Sequence, residues 1–296
     1  MSDQIASRRE GHGQLSLAIL ALSMIVASVL YLRNIGQAED DAYITFRYAA
    51  NARAGLGLVY NQGQRVCGVS TPFYLLAVTG VSSLFRSTPV DAVALRMNLL
   101  PFISMGLFIY LLMRRLSGSS LIAAIIAGAA LLSAKMLTHA LDGMESTWFL
   151  LWLITALWAV DCQRPLLSGV LCGFAALTRP EGALILPIAA IAFRQSRRAL
   201  IVMLTAAGLT IAPWLIFATI YYGTPIPHSI IAKARPLYPI PRGHAFHAMV
   251  DVLHPAWLIA VFTSAALVAF SIRRARYVVL LFCLFVIFYV LANPFM

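Results

Sequence analysis

The sequence predicts an all-α protein, a polytopic bundle of transmembrane helices. Two observations predict this class: 61% of the 296 residues are hydrophobic, and only 11% are charged, whereas a soluble domain carries roughly a quarter charged residues. The apolar residues also fall into runs close to the length of about 20 residues that a membrane-crossing helix requires. We therefore predict one transmembrane domain over residues 1–296 that contacts membrane lipids.

Seven apolar runs are clear candidates for crossing helices, and a further apolar block is broken in two. The block, residues 165–193, is interrupted by TRPEG at residues 178–182, where Pro180 breaks a helix and the two charges need water or partners. We expect it to form two short helices that meet at a polar turn, which gives about nine spans. The seven runs are residues 14–33, 95–113, 119–137, 145–161, 199–221, 256–272 and 277–292.

The net charge of +11 does not indicate nucleic-acid binding. The basic residues occur in small clusters between apolar runs, as topology signals do, whereas a nucleic-acid-binding face is continuous. The four cysteines include no CxxC pair, so the sequence predicts no metal site. The clusters lie at residues 8–9, 114–115, 194–198 and 273–276.

The short apolar stretch at residues 70–85 decides the topology. If it crossed the membrane, the three later arginine clusters would face away from Arg8 and Arg9. If it lies at the interface, all four clusters face the cytoplasm, which the positive-inside rule favours. We therefore predict an interfacial helix and an N-terminal run that stays as an uncleaved anchor. Two large loops, residues 34–94 and 222–255, then face outward.

Most acidic residues fall on the predicted outward side, eight of the eleven, although acids contribute little to orientation. Asp40 and Asp41 follow the first span directly, where adjacent carboxylates repel each other unless a cation or strong donors lie close. One of them could cap a helix that begins there, but both cannot readily do so. Ions at membrane depth are costly without a partner or a function, so the pair is a candidate catalytic site.

Four stretches carry a family resemblance. DDAYITFRYAANARAGLGLVYNQGQRV at residues 40–66, followed by STPFY, resembles the first outward loop of polytopic GT-C-type glycosyltransferases. DGMEST at 142–147, LTRPEG at 177–182 and YYGTPIPHSIIAKA at 221–234 match the same class in the expected order. The chain looks most like the branch that includes terminal arabinofuranosyltransferases, and more distantly like protein O-mannosyltransferases and lipid A aminoarabinose transferases. It is expected to be shorter at its C-terminal end than these relatives.

The resemblance implies a GT-C-like bundle that takes a sugar from polyprenyl phosphate and transfers it outside the bacterial inner membrane, in the cell envelope. In such enzymes an acid at the end of the first span is the catalytic base. We therefore predict Asp40 as the base and Asp41 as the group that orients the acceptor or a neighbouring cation. A general base must come within hydrogen-bond reach of the hydroxyl. The acceptor could be a glycan, a lipid or a protein.

The departing phosphate needs positive charge, for which Arg179, His228 and Lys233 are candidates. Lys233 is one of only two lysines in the chain. No cofactor is predicted, although paired acids can hold a divalent cation. Further candidate substrate-binding residues, for which an ion pair or an interfacial aromatic remains the simpler interpretation, are Arg47, Tyr60, Glu145 and Glu181.

Two alternatives stay open at this point. A transporter or lipid flippase would normally carry ionisable residues near mid-span, and several of the predicted spans contain none. A truncated, inactive remnant of the transferase family is the second alternative. Replacing Asp40 by asparagine would separate both from an enzyme, because only the transferase is expected to lose its product while still inserting normally into the membrane.

Overall fold

The computed structural model describes residues 2–229, together with residues 277, 279–281, 283 and 284. Within these residues every regular element is helical, and a 3-10 helix, Pro180–Leu184, precedes α10. Lys233, Asp251 and the predicted span 256–272 lie outside the described residues, as does most of 277–292. Helices α1 to α5 are Ser2–Arg33, Ala42–Arg53, Pro72–Leu84, Val90–Met97 and Leu99–Ser117; α6 to α11 are Ser120–Leu131, Ala134–Leu141, Ser146–Asp161, Pro165–Thr178, Ile185–Phe193 and Arg197–Tyr222.

The helical class and the membrane character of the sequence are confirmed. Among the described residues, three helices are long and apolar enough to cross a membrane: Gly13–Arg33, Val90–Ser117 and Arg197–Tyr222. The pair α6 and α7, bent by 54° at its break, passes the same test together. Helices α3, α8 and α9, and the segment Pro180–Phe193, are apolar but shorter, so the count of nine spans is not confirmed.

The helix break predicted at TRPEG is present. Helix α9 ends at Thr178, the 3-10 helix follows, and α10 begins at Ile185. Pro180 stands in the first turn of the 3-10 helix, where its missing N–H costs no hydrogen bond. The single helix expected over residues 119–137 is instead two helices, because Ser133 starts a new helix in a different direction.

Helices α9 and α11 pack with their backbones in close approach. A Cβ atom on Gly169 would lie 2.2 Å from the Met203 carbonyl oxygen, and one on Gly173 would lie 2.6 Å from Thr210. Small residues four positions apart allow such an approach between membrane helices. This packing fixes the end of α9, from which Arg179 follows.

Replacing Gly169 by alanine should destabilise the protein by about 1–3 kcal/mol, because the added methyl group overpacks a backbone contact. The measurement is thermal unfolding of the purified protein in detergent micelles. Gly208→Ala on α11 is the matched control, since nothing lies within 4 Å of a Cβ atom there. Equal shifts in the two variants would contradict the proposed close packing.

Helix α3 packs against α2 and α4. It has 13 residues, which makes it about 20 Å long. Its C-terminal end lies near that of α2, because Arg53 Nη1 donates a hydrogen bond to the Thr88 carbonyl at 2.8 Å. Helices α2, α3 and α4 thus form a small cluster at one end of the long helices.

Candidate active site

A cavity of about 420 Å³ lies at the end of the bundle that carries α2 and α3. It is built from segments that are distant in sequence and were all predicted to face outward. Four of the predicted site residues meet there: Asp41, Glu145, Arg179 and Glu181. The complete described lining is Asp41, Ala42, Ile44, Thr45, Gly68, Val69, Ser70, Thr71, Tyr74, Met144, Glu145, Arg179, Pro180, Glu181 and Ser229.

Arg179 is the cation that the described residues contribute to this cavity. Its Nε donates to Glu145 Oε1 at 2.7 Å, and its Nη1 lies 3.8 Å from Glu181 Oε1. Glu145 is only 5% exposed, and a carboxylate so deeply buried is tolerated when it is paired and hydrogen-bonded. The pairing of Arg179 with Glu145 and Glu181 agrees with the simpler interpretation of these residues as ion pairs. All three residues also line the cavity.

The loop between α7 and α8 connects this cation to the acidic segment before α2. The Glu39 N–H donates to the Asp142 carbonyl at 2.9 Å. Gly143 has a φ of +75°, and a Cβ atom there would lie 2.7 Å from the Ala38 Cβ, so only glycine allows this contact. The Asp142 carboxylate accepts a hydrogen bond from the Met144 N–H at 2.7 Å, while burial raises its pKa.

Asn98 forms hydrogen bonds that hold the same loop in place, and it was not among the site residues predicted from the sequence. It is fully buried between α4 and α5. Its Nδ2 donates to the Met144 carbonyl at 2.9 Å, and its Oδ1 accepts from Trp148 Nε1 at 3.0 Å. Tyr74 donates to the Gly143 carbonyl at 2.6 Å. The available signal was an asparagine near the start of the apolar run at residues 95–113, since a buried amide requires partners.

Asp41, rather than Asp40, lines the cavity in the described structure. Helix α2 begins at Ala42, as expected, and Asp41 occupies its N-cap position. The Asp41 side chain makes no capping hydrogen bond, so helix capping does not account for this carboxylate. Asp40 lies one residue earlier and is not among the described lining residues of the cavity, although both residues are exposed.

The remaining predicted site residues lie elsewhere. Arg47 Nε donates to the Tyr60 carbonyl at 2.9 Å, and its guanidinium carbon lies 4.6 Å from the Tyr60 ring centroid. Tyr60 lines a second cavity of about 320 Å³. His228 is exposed, and its backbone N–H donates to the Cys67 carbonyl at 2.7 Å. This contact brings the next residue, Ser229, into the first cavity.

The helices and the cavity define an integral membrane protein with a polar, charged site at one end of its bundle. The model of glycosyltransferase family 87 matches residues 69–294, which is most of the chain. The protein therefore belongs to glycosyltransferase family 87. The matched range includes Glu145, Arg179 and Glu181 but begins after the acidic pair. No match was found among curated proteins or among solved structures.

Proposed function

We propose that the protein is a GT-C-type glycosyltransferase of the bacterial inner membrane. It transfers a sugar from a polyprenyl-phosphate donor to an acceptor hydroxyl at the outer face. The observation that carries this proposal is the cavity that holds Asp41 and Arg179 together, because transfer needs a base and a stabiliser of the departing phosphate. Family membership supports the transferase activity, and it does not favour a transporter or an inactive remnant.

The contacts between loops support the proposed topology. The hydrogen bond from the Glu39 N–H to the Asp142 carbonyl places both residues at the same end of the bundle. The chain between them must therefore cross the membrane an even number of times. Helices α4 and α5 together supply one crossing and the bent pair α6 and α7 a second, so α3 is proposed to lie at the interface. Arg115, which was predicted to face the cytoplasm, forms an ion pair with Asp161 at the end of α8. The positive-inside rule then assigns the cavity to the outer face.

The proposed reaction exchanges one bond at the anomeric carbon and transfers one proton. The acceptor oxygen attacks the anomeric carbon of the donor, and its proton goes to a carboxylate of the acidic pair. The bond between the anomeric carbon and the phosphate oxygen breaks, and polyprenyl phosphate leaves with the electron pair. Asp41 is the proposed base because it lines the cavity. Asp40 is proposed to make the electrostatic potential around Asp41 more negative.

Positive charge on the leaving phosphate is the second requirement. Arg179 can supply it without proton chemistry, because a guanidinium stays protonated and matches phosphate geometry. Glu145 holds the guanidinium in place. His228 and Lys233 remain proposed as further phosphate contacts, and Tyr60 and Arg47 as substrate contacts beside the second cavity. A polyprenyl phosphate carries its charge at the membrane edge, which is the depth that a loop leaving a transmembrane helix reaches.

The test is to incubate membranes that contain the protein with a panel of polyprenyl-phosphate sugars. We expect one donor to produce a mass shift in the extracted glycolipids or envelope glycans. The same shift should be absent from membranes of a deletion strain. Transfer from nucleotide sugars alone, or no transfer from any donor by correctly inserted protein, would contradict the proposal.

A further inference from the structure

Asn98 is a buried polar residue inside a membrane span. It lies within Val90–Ser117, which is long and apolar enough to cross the bilayer, and its side chain is fully buried. A polar side chain within a span is costly unless it has partners, and it usually serves a function. The proposed reaction does not use this amide directly, so its role is indicated by the residues that it binds.

The Asn98 amide is bonded on both sides of Glu145. Its Nδ2 donates to the Met144 carbonyl at 2.9 Å, and its Oδ1 accepts from Trp148 Nε1 at 3.0 Å. Met144 directly precedes Glu145 in the chain. Trp148 lies in the first turn of α8, which begins just after Glu145. A single side chain therefore holds the two segments between which Glu145 lies.

The partners of the amide fix its orientation and require its chemistry. An indole N–H can only donate, so the atom of Asn98 that faces Trp148 is the oxygen. The Met144 carbonyl can only accept, so the atom that faces it is the nitrogen. An aspartate carboxylate would present an oxygen to this carbonyl, and an apolar side chain would bond neither partner. The two contacts together require the donor and the acceptor that asparagine combines.

Two tyrosines hold the rest of the loop before α8. The Tyr74 hydroxyl donates to the Gly143 carbonyl at 2.6 Å and accepts from Asn98 Nδ2 at 3.3 Å. The Tyr31 hydroxyl lies 3.2 Å from the Ala140 carbonyl oxygen. Both tyrosines are fully buried, and hydrogen bonds are electrostatically stronger in a buried environment than in water. The loop is thus anchored to α1, to α3 and to the junction of α4 and α5.

The position of this segment determines the position of Arg179. Arg179 Nε donates to Glu145 Oε1 at 2.7 Å, and its Nη2 lies 3.4 Å from Ser146 Oγ. The contact with Glu181 is longer, at 3.8 Å. Because the guanidinium is a rigid plane, these contacts orient it as well as hold it. A displacement of Glu145 would therefore move the proposed phosphate-binding cation.

We propose that Asn98 is a positioning residue for sugar transfer. It does not line the described part of the cavity, and it acts through Glu145 by holding the Arg179 guanidinium where the departing phosphate binds. This inference rests on the proposed transferase function and adds to it a residue that acts from within a membrane span. A merely structural role would change the amount of folded protein but not the transfer rate per folded molecule.

A double-mutant cycle tests the inference. Asn98→Ala should lower the transfer rate per folded molecule by about 10- to 100-fold, because a displacement of about 1 Å at a reacting group has an effect of this size. Glu145→Ala retains Arg179 but removes its main link to Asn98. In that background Asn98→Ala should lower the residual rate by less than about threefold, because two residues that act through one contact are not additive. The rates are normalised to the monodisperse protein recovered by gel filtration in detergent.

Thr155→Ala is the matched control for the loss of a buried polar group. Thr155 is 4% exposed on α8, and its hydroxyl donates to the Leu151 carbonyl of the same helix. This variant should lower the midpoint of thermal unfolding without lowering the transfer rate per folded molecule. If Asn98→Ala yields no folded protein, Trp148→Phe removes one of the two contacts and is judged by the same cycle with Glu145→Ala. An unchanged rate, or equal losses in the two backgrounds, would overturn the inference.

Chemical modification separates this inference from the transferase proposal. Phenylglyoxal reacts with arginine side chains, and peptide mapping by mass spectrometry gives its rate at Arg179 in the purified full chain without donor. We expect faster modification of Arg179 in Asn98→Ala than in the wild type, and no change in Thr155→Ala. Faster modification in a protein that transfers no sugar would keep the link from Asn98 to Arg179 and reject the transferase proposal. An unchanged rate at Arg179 in an active protein would reject the positioning role alone.

Discussion

Replacing Asp41 by asparagine should lower the turnover of sugar transfer by about 100- to 10,000-fold, because a positioned general base contributes a factor of this size. Asparagine has nearly the same shape and is equally favoured at a helix N-cap. The variant should therefore insert and fold as the wild type does, as judged by gel filtration and thermal unfolding in detergent. The measurement is the initial rate of transfer from the active donor at saturating acceptor.

Asp40→Asn is the matched control for this prediction. Asp40 carries the same charge in the same segment but does not line the described part of the cavity, so we expect a loss of less than about tenfold, well below the contribution of a general base. A larger loss in Asp40→Asn than in Asp41→Asn would assign the base to Asp40, as the sequence resemblance predicts. Full activity in both variants would reject a carboxylate base from this pair.

Replacing Arg179 by methionine should both destabilise the protein and abolish transfer. The substitution leaves the buried Glu145 carboxylate without its main partner, and breaking a buried ion pair costs about 3–5 kcal/mol. Transfer should fall further than this loss of folded protein explains, because the departing phosphate also loses its cation. The measurements are the midpoint of thermal unfolding and the transfer rate per folded molecule.

The double variant Arg179→Met with Glu145→Met separates these two effects. Replacing both members of a buried pair by apolar residues is often neutral for stability, so we expect the unfolding midpoint to recover while transfer remains absent. Arg115→Met is the control for a more exposed pair, because the side chains of Arg115 and Asp161 are 40% and 11% exposed, against 26% and 6% for Arg179 and Glu145. A more exposed pair contributes less to stability. This variant should leave transfer unchanged. Transfer by the double variant would exclude Arg179 as the phosphate-binding cation.

Features that depend on local sequence were predictable. The apolar runs identified the helical membrane class, Pro180 identified the break after α9, and the amphipathic stretch after Asp41 identified α2. Successive loops of a membrane protein lie on alternate sides of the membrane, so the order of the spans also predicted which segments share one end of the bundle. The contacts between residues 39 and 142, and between Arg179 and Glu145, agree with that prediction.

Features that depend on partners distant in sequence were not predictable. The contribution of Asn98 comes from acceptors and donors in α8 and in the loop before it, which no local pattern reveals. The choice between Asp40 and Asp41 depends on which carboxylate points toward residues more than a hundred positions away. Arg47, a candidate substrate-binding residue, donates a hydrogen bond to the Tyr60 carbonyl, a contact that arises because the Tyr60 loop folds back onto α2.

The loop from Asp142 to Glu145 has one further consequence. Its first residue is bonded to the chain just before the acidic pair, and its last residue is bonded to Arg179. The spacing between acid and cation is therefore set by a span of four residues. Thickening or thinning of the surrounding bilayer can tilt the long helices without altering this spacing, so the reaction geometry should be insensitive to lipid composition. Lengthening the loop by a single residue should disrupt this spacing between acid and cation.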